Sequence, residues 1–265
     1  MYFCILMSKT FKYDFQIGER FLDRNEAVLA CVLNFEKSGT PFGDGERNQI
    51  KLFEAIGMQV NVKRFKNPNF INTWVYRYFR PSKAQRSYEY ATRLLELGIG
   101  TPQPIAFAEN KKWNGLKDSY YLSEHLDCDL TYRELVHDAD YPDHEAILKA
   151  FTAFTFKLHE QGVLFKDHSP GNTLIKKVGY GYDFYLVDLN RMSFKSLSKA
   201  ERILNFARLT PVKEMVKVMS YEYARLAGYE PEETFATMWG HVSRFQHKYH
   251  RKRRLKKKLL FWRKR

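Results

Sequence analysis

The feature that most constrains the fold of this chain is a helix, a polar loop and a strand that follow one another in its second half. Apolar residues of the stretch 143–161 recur at helical spacing. The loop after this helix contains Asp167 and, five positions later, Asn172. The apolar run 184–187 then has the pattern of a buried strand and leads directly into Asp188. This order predicts that a helix and a strand hold two carboxylates and an amide in place.

These three polar side chains suit one kind of chemistry, which is phosphoryl transfer from a nucleotide. A loop carboxylate such as Asp167 orients an attacking hydroxyl, while the oxygens of Asn172 and Asp188 hold magnesium on the phosphates. Each residue also has a structural alternative, because Asp and Asn cap turns and helices and tolerate left-handed backbone. The order of all three along the chain favours the phosphoryl-transfer interpretation.

Two upstream features bear on phosphate binding. Gly39, Gly43 and Gly45 lie in one short stretch, and glycines let backbone amides approach a phosphate closely. Their spacing fits no established nucleotide motif, and a plain hairpin loop is the alternative. The predicted strand 58–65 follows, and Lys63 lies on its second face, where a solvent-exposed lysine is the alternative to a phosphate ligand.

A helix is predicted over residues 82–97, with Ser82 as its N-cap. Glu89 lies beside the apolar face of this helix. A lysine near phosphates needs an anionic partner, so Lys63 and Glu89 are candidates for an ion pair, with a solvated Glu89 as the alternative. Further along, Arg202 and Asn205 lie one helical turn apart and are candidates to support the polar loop, with a surface pair as the alternative.

The net charge of +14 is concentrated at one end of the chain. Ten Lys or Arg and no acid lie within 251–265, so the other residues carry only +4. Leu255, Leu259 and Trp262 fall at helical spacing among these cations, which favours an interfacial helix on anionic lipid over nucleic-acid binding. A solvated tail is the remaining alternative.

The composition is that of a globular chain, with 44% hydrophobic residues over 265 positions. The three cysteines at positions 4, 31 and 128 are far apart and suggest neither a disulfide framework nor a metal site, which favours a reducing cytosol. No apolar run approaches the roughly 18 residues of a membrane span, and the apolar start is too short for a signal peptide.

At Phe165–Asn172 and Val187–Asn190 this chain resembles the protein-kinase-like superfamily. More narrowly, it resembles the lipopolysaccharide core kinases (the Kdo and heptose kinase family) of Gram-negative bacteria, over about Gly39 to Leu209. The further segments that carry this narrower resemblance are Val62–Phe65, Ser82–Ala84, Arg86–Glu89 and Leu97–Pro102.

The resemblance implies an α+β, bilobal protein-kinase-like fold. Residues 1–125 would form a nucleotide-binding lobe of mostly antiparallel sheet with one main helix, and 126–250 a mostly helical catalytic lobe. Residues 251–265 would be a basic amphipathic tail. The implied activity is ATP-dependent phosphorylation of an inner-core sugar, foremost Kdo of Kdo-lipid A. The implied place is the cytoplasmic face of the inner membrane, where the tail contacts anionic lipid and nucleic acid is not an expected partner.

The implied cofactors are ATP and Mg²⁺, and the family pattern assigns a role to each candidate residue. Asp167 would orient the substrate hydroxyl, and Asn172 and Asp188 would bind the metal. The remaining candidates would bind the nucleotide: Lys63 paired with Glu89 on the phosphates, the loop of Gly39, Gly43 and Gly45 over them, and the backbone at Glu124 against the adenine.

The chain departs from the protein-kinase pattern at two positions. Phe165 replaces the usual histidine of the catalytic loop, and Asn190 replaces the glycine that follows the metal-binding aspartate. No Ala-Pro-Glu segment follows, which points to a small or sugar substrate. The alternatives are a small-molecule kinase of the aminoglycoside or choline type and a kinase-like scaffold without activity.

Overall fold

The computed structural model describes residues 13–43, 48–66, 80–112 and 115–259. The chain divides into two compact units. The first runs through Asp127 and also contains Asp188–Asn190, and the second contains Cys128–Val187 and the chain from Arg191 onward. Within the described ranges, none of the helices combines the length and the apolar character that a membrane crossing requires.

The first unit is built on one antiparallel sheet of six strands. In chain order these are Asp14–Ile17 (β1), Thr40–Phe42 (β2), Asn48–Ala55 (β3), Met58–Phe65 (β4), Pro104–Lys112 (β5) and Gly115–Glu124 (β6). Their order across the sheet is β1-β5-β6-β4-β3-β2. The predicted antiparallel sheet is therefore confirmed.

A tight hairpin joins β3 to β4. Ile56 and Gly57 have φ angles of 55° and 77°, and two successive positive φ values are typical of the two-residue turn that matches the twist of paired strands. Register runs from Asn48 opposite Phe65 to Ala55 opposite Met58 without a shift. This pairing fixes which residues of β4 share a face.

Both faces of the sheet are covered. Val60 and Val62 of β4 are fully buried in a cluster that includes residues of the helix Asn25–Leu33 (α1), which follows the 3₁₀ turn Glu19–Arg24. Phe65 lies in a different cluster, with residues of the helix Lys83–Glu96 (α2). The period of two in β4 thus sends alternate residues to two separate cores.

Helix α2 begins where the sequence predicts. The side-chain oxygen of Ser82 accepts a hydrogen bond of 3.1 Å from the backbone N–H of Gln85, which satisfies one of the unpaired donors of the first turn. The predicted N-cap is confirmed.

The second unit is mostly helical. Its helices are Tyr132–His137 (α3), His144–Glu160 (α4), Lys199–Leu204 (α5), Lys213–Ala227 (α6) and Pro231–Leu259 (α7), with a 3₁₀ turn at Pro170–Asn172. Its strands are Leu130–Thr131 (β7), Val163–Phe165 (β8), Thr173–Val178 (β9), Gly181–Leu186 (β10) and Met192–Phe194 (β11). They form a sheet in the order β10-β9-β7 and a pair of β11 with β8. From its sequence the chain after Asp188 is expected to be helical to the end, and strand β11 corrects this expectation.

The predicted helix before the polar loop is α4. Ile147, Phe151 and Leu158 lie on its buried face and are fully inaccessible. Gly162 ends it with φ 69°, and a Cβ atom at this position would lie 2.9 Å from the carbonyl oxygen of Lys195. Both the backbone conformation and the close contact therefore require glycine between α4 and β8.

Helix α7 is longer than predicted. The sequence predicts a separate tail from residue 251, with Leu255 and Leu259 at helical spacing, whereas α7 continues without interruption to Leu259. Leu255 and Leu259 on this extension are 49% and 76% exposed among the described residues. Trp262 lies outside the described residues.

Candidate active site

The polar loop is anchored by its flanking strands. Strand β8 pairs antiparallel with β11, and beyond this pair the backbone N–H of Lys166 donates to the carbonyl oxygen of Arg191 at 3.0 Å. Asp167 follows directly and therefore sits at the end of a strand pair that is fixed by buried residues.

Two arginines hold the carboxylate of Asp167. Arg208 donates to its Oδ1 at 2.7 Å, and Arg191 donates to the same oxygen at 3.0 Å. The Asp167 side chain is only 17% exposed, so these charge-assisted bonds form in a partly desolvated place. Sequence reasoning missed both arginines. The position of Arg191 directly after the Asp-Leu-Asn segment was the available signal for one of them.

Asn172 closes the loop. Its side-chain nitrogen donates to the backbone oxygen of Asp167 at 2.8 Å, and its backbone carbonyl oxygen accepts from the backbone N–H of Val187 at 3.1 Å. The first bond uses the amide nitrogen, and the amide oxygen is the atom that a hard cation needs. Val187 immediately precedes Asp188 in the sequence, so the loop and the second carboxylate are tied by a short segment of chain.

A buried hydrogen-bond chain supports the loop from below. Asn205 donates to the carbonyl oxygen of Phe165 at 2.8 Å, and its side-chain oxygen lies 3.0 Å from Nε2 of His159. Nδ1 of His159 lies 2.8 Å from the hydroxyl of Tyr223. Burial lowers the pKa of His159 to about 4, so the imidazole is neutral near pH 7. Asn205 is thus a loop support rather than half of a surface pair, and Arg202 pairs instead with Glu160.

His168, the residue after Asp167, is fully enclosed by aromatic rings. Its ring centroid lies 5.3, 5.8 and 6.4 Å from those of Phe151, Phe165 and Phe206. Neither ring nitrogen forms a hydrogen bond to a described residue. Burial, with His159 as a second contribution, lowers the pKa of His168 to about 3. No sequence pattern distinguishes this buried histidine from a polar loop residue.

In the first unit, Lys63 and Asp188 form an ion pair although 125 positions separate them in the sequence. The Lys63 Nζ atom lies 2.6 Å from Asp188 Oδ1, and the lysine side chain is 14% exposed. Asn190 donates to the same carboxylate oxygen at 2.9 Å. Asp188 has φ 59°, a left-handed conformation that is uncommon outside glycine. The asparagine that replaces the usual glycine therefore helps to hold this carboxylate.

The glycine-containing stretch is a hairpin beside the Lys63 strand. Phe42 of β2 is opposite Ile50 of β3, and Ile50 is opposite Lys63 of β4, so the three residues form one row across the sheet. Gly43 follows Phe42 with φ 80°. Gly43 thus lies directly past the row that contains Lys63. Gly45 lies outside the described residues.

Gly39 has a different local environment from Gly43. It has φ 82°, and a Cβ atom here would lie 2.6 Å from the ring of Phe53. Packing against Phe53 therefore accounts for this glycine at the start of β2, whereas a Cβ at Gly43 would meet nothing within 4 Å.

The structure does not bring Glu89 to Lys63. Glu89 is exposed and accepts a hydrogen bond of 2.8 Å from the side chain of Gln85, one turn earlier on α2. In the described part of the chain, Asp188 is the acid that pairs with Lys63. The Lys63–Glu89 pair stays a prediction.

Glu124 is the last residue of β6. Its backbone N–H donates to the backbone carbonyl oxygen of Gln103 at 2.9 Å. The backbone N–H of His125 donates to the backbone carbonyl oxygen of Gln59 at 2.8 Å, so both amides already have partners. The chain then leaves the sheet with no regular structure at 125–128. The adenine contact through this backbone also stays a prediction.

The fold described here is that of the kinase-like phosphotransferases. The structure is similar to one solved as "WaaP in complex with acyl carrier protein", with a TM-score of 0.61, 16% identity and coverage of 89% of this chain and 98% of that chain. A Rio2 kinase–ADP/Mg²⁺–phosphoaspartate complex from Chaetomium thermophilum gives a TM-score of 0.45 at 16% identity, over 80% of this chain and 65% of that chain. No curated protein matches this sequence.

The chain belongs to the lipopolysaccharide kinase (Kdo/WaaP) family, whose model matches residues 43–229, well over half of its length. It is therefore a kinase of the lipopolysaccharide core, and ATP is the phosphoryl donor that this family implies. The resemblance that the sequence analysis draws from its motifs is confirmed at the level of the family and the reaction class.

Proposed function

We propose that this protein transfers the γ-phosphoryl group of ATP to a hydroxyl of an inner-core sugar, namely Kdo of Kdo-lipid A. The observation that carries the proposal is the 2.6 Å pair of Lys63 with Asp188. A cation suited to nucleotide phosphates and a carboxylate suited to their metal lie side by side, and phosphoryl transfer requires both kinds of group near the nucleotide. Family membership supports the same reaction class.

In this proposal the nucleotide is held by residues of the sheet and the hairpin. Lys63 binds the α- and β-phosphates as a point charge, and the glycine-containing stretch with Gly39, Gly43 and Gly45 covers them with backbone amides. The carbonyl of Glu124 contacts the adenine. These groups position ATP, and none of them gains or loses charge during the reaction.

Asp188 and Asn172 would hold Mg²⁺, and their oxygen donors are of the hard type that this cation takes. Within the described residues no group of three or more His, Cys, Asp or Glu side chains converges, which fits a cation held by few protein ligands together with phosphate oxygens. When bound, Mg²⁺ neutralises charge that develops on the phosphates.

Asp167 accepts the hydrogen bond of the sugar hydroxyl and aligns its oxygen with the γ-phosphorus. The loop that carries it is held by Asn172 and, through Phe165, by Asn205. Catalysis by positioning requires such a rigid support, because an error of about 1 Å in the attacking group costs on the order of 100-fold in rate.

The partner of the reaction is a lipid-linked sugar, and we propose that residues 251–265 bring the protein to it. The exposed Leu255 and Leu259 would enter the interface while the surrounding cations contact anionic headgroups. The protein would then act as a peripheral protein on the cytoplasmic face of the inner membrane.

Transfer of ³²P from ATP to purified Kdo-lipid A tests the proposed function. The wild-type chain should label this acceptor, and Asp167→Asn should lower kcat by at least about 100-fold while its thermal midpoint stays close to that of wild type. Full labelling by Asp167→Asn would refute the role of Asp167. Labelling of an aminoglycoside or of choline instead of Kdo-lipid A would refute the acceptor, and no Mg²⁺-dependent ATP binding would favour a scaffold.

A further inference from the structure

A cavity of about 530 Å³ lies in the second unit beside Asp167. This volume is in the range of small-molecule sites. Six of the residues that line it carry the argument, and we refer to it as the basic cavity: Lys166, Glu201, Arg208, Arg244, Phe245 and Lys248. The loop, α5 and α7 contribute to its wall.

The basic cavity has an excess of positive charge. Glu201 is its only carboxylate, and this group already binds Lys195 and the backbone N–H of Ser198 in the cap of α5. In the described part of the chain no acid pairs with Arg244 or Lys248. Arg208 is paired with Asp167, whereas Arg244 and Lys248 face the cavity without an acidic partner among the described residues and favour an anion there.

Apolar surface lies beside these cations. The guanidinium of Arg208 packs over the ring of Phe245, with 5.8 Å between its carbon and the ring centroid. Leu164 and Ala207 also line the cavity. A site of this kind suits a ligand that combines a charged group with a less polar face, such as an anionic sugar. It suits an inorganic ion less well.

Arg208 lines the basic cavity and also donates a hydrogen bond to Asp167. Its Nη1 atom lies 2.7 Å from Asp167 Oδ1, and Arg191 donates to that same oxygen. While both bonds persist, Oδ1 is occupied and is not free to accept a bond from a substrate hydroxyl. An anion in the cavity competes for Arg208, and Oδ1, left with the bond from Arg191 alone, can then accept a second hydrogen bond.

We propose that the basic cavity binds the anionic group of the acceptor sugar, and that Arg208 moves from Asp167 to this anion when the acceptor binds. The ligand is a sugar with a carboxylate or a phosphate. The inference rests on the proposed function for the identity of the acceptor. It adds where on the protein the acceptor binds and which of its chemical groups is recognised. Arg244 and Lys248 act as specificity residues on α7.

The test compares charged and neutral forms of the same sugar. Binding of free Kdo and of its methyl ester, and of N-acetylglucosamine 1-phosphate and N-acetylglucosamine, is measured by isothermal titration calorimetry with the full chain. Wild type should prefer one anionic form over its neutral form by about 10-fold or more, as expected for charge-assisted hydrogen bonds. Preference for free Kdo assigns the cavity to a sugar acid, and preference for the phosphate assigns it to a phosphorylated glycolipid.

Arg244→Gln with Lys248→Gln should abolish this preference and raise the KM for the acceptor by about 10- to 100-fold, with a much smaller change in kcat. The matched control is Lys213→Gln with Lys217→Gln, which removes two exposed cations at the same spacing from α6. The control should keep the preference of wild type. An equal preference in wild type and the α7 variant, or no preference in wild type, would overturn the inference.

The outcomes separate this inference from the proposed function. If no phosphate reaches Kdo-lipid A but an anionic sugar binds and the α7 variant loses it, the cavity stands and the proposed acceptor falls. If Kdo-lipid A is phosphorylated with the same KM by wild type and the α7 variant, the kinase assignment stands and the cavity inference falls.

Discussion

Lys63 Nζ and Asp188 Oδ1 lie 2.6 Å apart, although the two residues are 125 positions apart in the sequence. Asn190 donates to the same oxygen at 2.9 Å. Asp188 is thereby held in a left-handed backbone conformation with its carboxylate directed by two neighbours. The roles proposed for the two residues, phosphate binding for Lys63 and metal binding for Asp188, can be tested separately.

Substitution of each member should therefore have a different effect on nucleotide binding. Lys63→Met should weaken ADP binding about 10- to 100-fold both with and without Mg²⁺, because it removes a charge-assisted contact to phosphate. Asp188→Asn should remove the increase in affinity that Mg²⁺ provides. Calorimetric titration with ADP at fixed ionic strength measures both effects.

Lys112→Met is the control for this pair, since it removes an exposed cation from β5 of the same sheet. It should bind ADP as wild type does. An Asp188→Asn protein that keeps the full Mg²⁺ effect would contradict the metal role.

Loss of the hydrogen bonds that Asn205 forms beneath the polar loop should lower both the stability of the fold and the turnover number. Asn205→Ala leaves the carbonyl of Phe165 and the ring of His159 without their bonds to Asn205. Each of these two buried groups costs about 1–3 kcal/mol when it loses its partner, so the free energy of unfolding should fall by roughly 2–6 kcal/mol. The turnover number should also fall, because the loop that carries Asp167 loses an anchor.

Ser220→Ala is the matched control, because Ser220 is also buried in the second unit and bonds only to the backbone of its own helix at Lys217. Urea unfolding and kcat, both measured well below the unfolding temperature, should separate the two variants. An Asn205→Ala enzyme with the kcat of Ser220→Ala would show that the bond to Phe165 does not position the loop.

The two buried histidines predict a loss of stability in acid. Their pKa values in the folded protein are about 4 for His159 and about 3 for His168, below the ordinary value of 6.5. The unfolded chain therefore takes up protons that the folded chain does not. The contribution of the two histidines to the free energy of unfolding is fully present above about pH 6.5 and decreases as the pH falls toward 4. At pH 5 the loss is about 2 kcal/mol per histidine.

His168→Leu should remove about half of this dependence. The ring of His168 forms no hydrogen bond to a described residue, so an apolar side chain should cost little at pH 7.5. The free energy of unfolding in urea at pH 7.5 and pH 5.0 gives the comparison, and His137→Gln, at an exposed position, should behave as wild type. Equal acid sensitivity in His168→Leu and wild type would contradict the burial of a neutral imidazole.

The C-terminal part of α7 predicts salt-dependent binding to anionic lipid. Deletion of residues 251–265 should abolish sedimentation with phosphatidylglycerol vesicles, because basic residues near such a surface contribute about 1 kcal/mol each. Wild-type binding should weaken as salt rises and should be absent with phosphatidylcholine.

A second variant separates charge from insertion at the vesicle surface. Leu255→Gln with Leu259→Gln keeps every cation and removes the exposed apolar contacts. It should bind more weakly than wild type at high salt, where only the apolar contribution remains. Unchanged vesicle binding after the deletion would exclude the tail as the membrane contact.

The local features of the fold could be predicted from the sequence because they depend on neighbouring residues. The N-cap at Ser82 follows from local hydrogen bonding. Helix α4 follows from the spacing of its apolar residues. The helical spacing of Leu255 and Leu259 was recognised, but the continuity of this stretch with the rest of α7 was missed, because no local signal shows whether two adjacent helical stretches join.

The sequence by itself determined the loop with Asp167 and Asn172, the strand that leads to Asp188, and the family to which these motifs belong. Only the tertiary structure decided which side chains meet them. Asp188 pairs with Lys63, and Asp167 is held by Arg208 from a distant part of the chain. The physical reason is that spacing along the chain governs turns and helices, whereas contacts over many tens of residues depend on how whole elements pack.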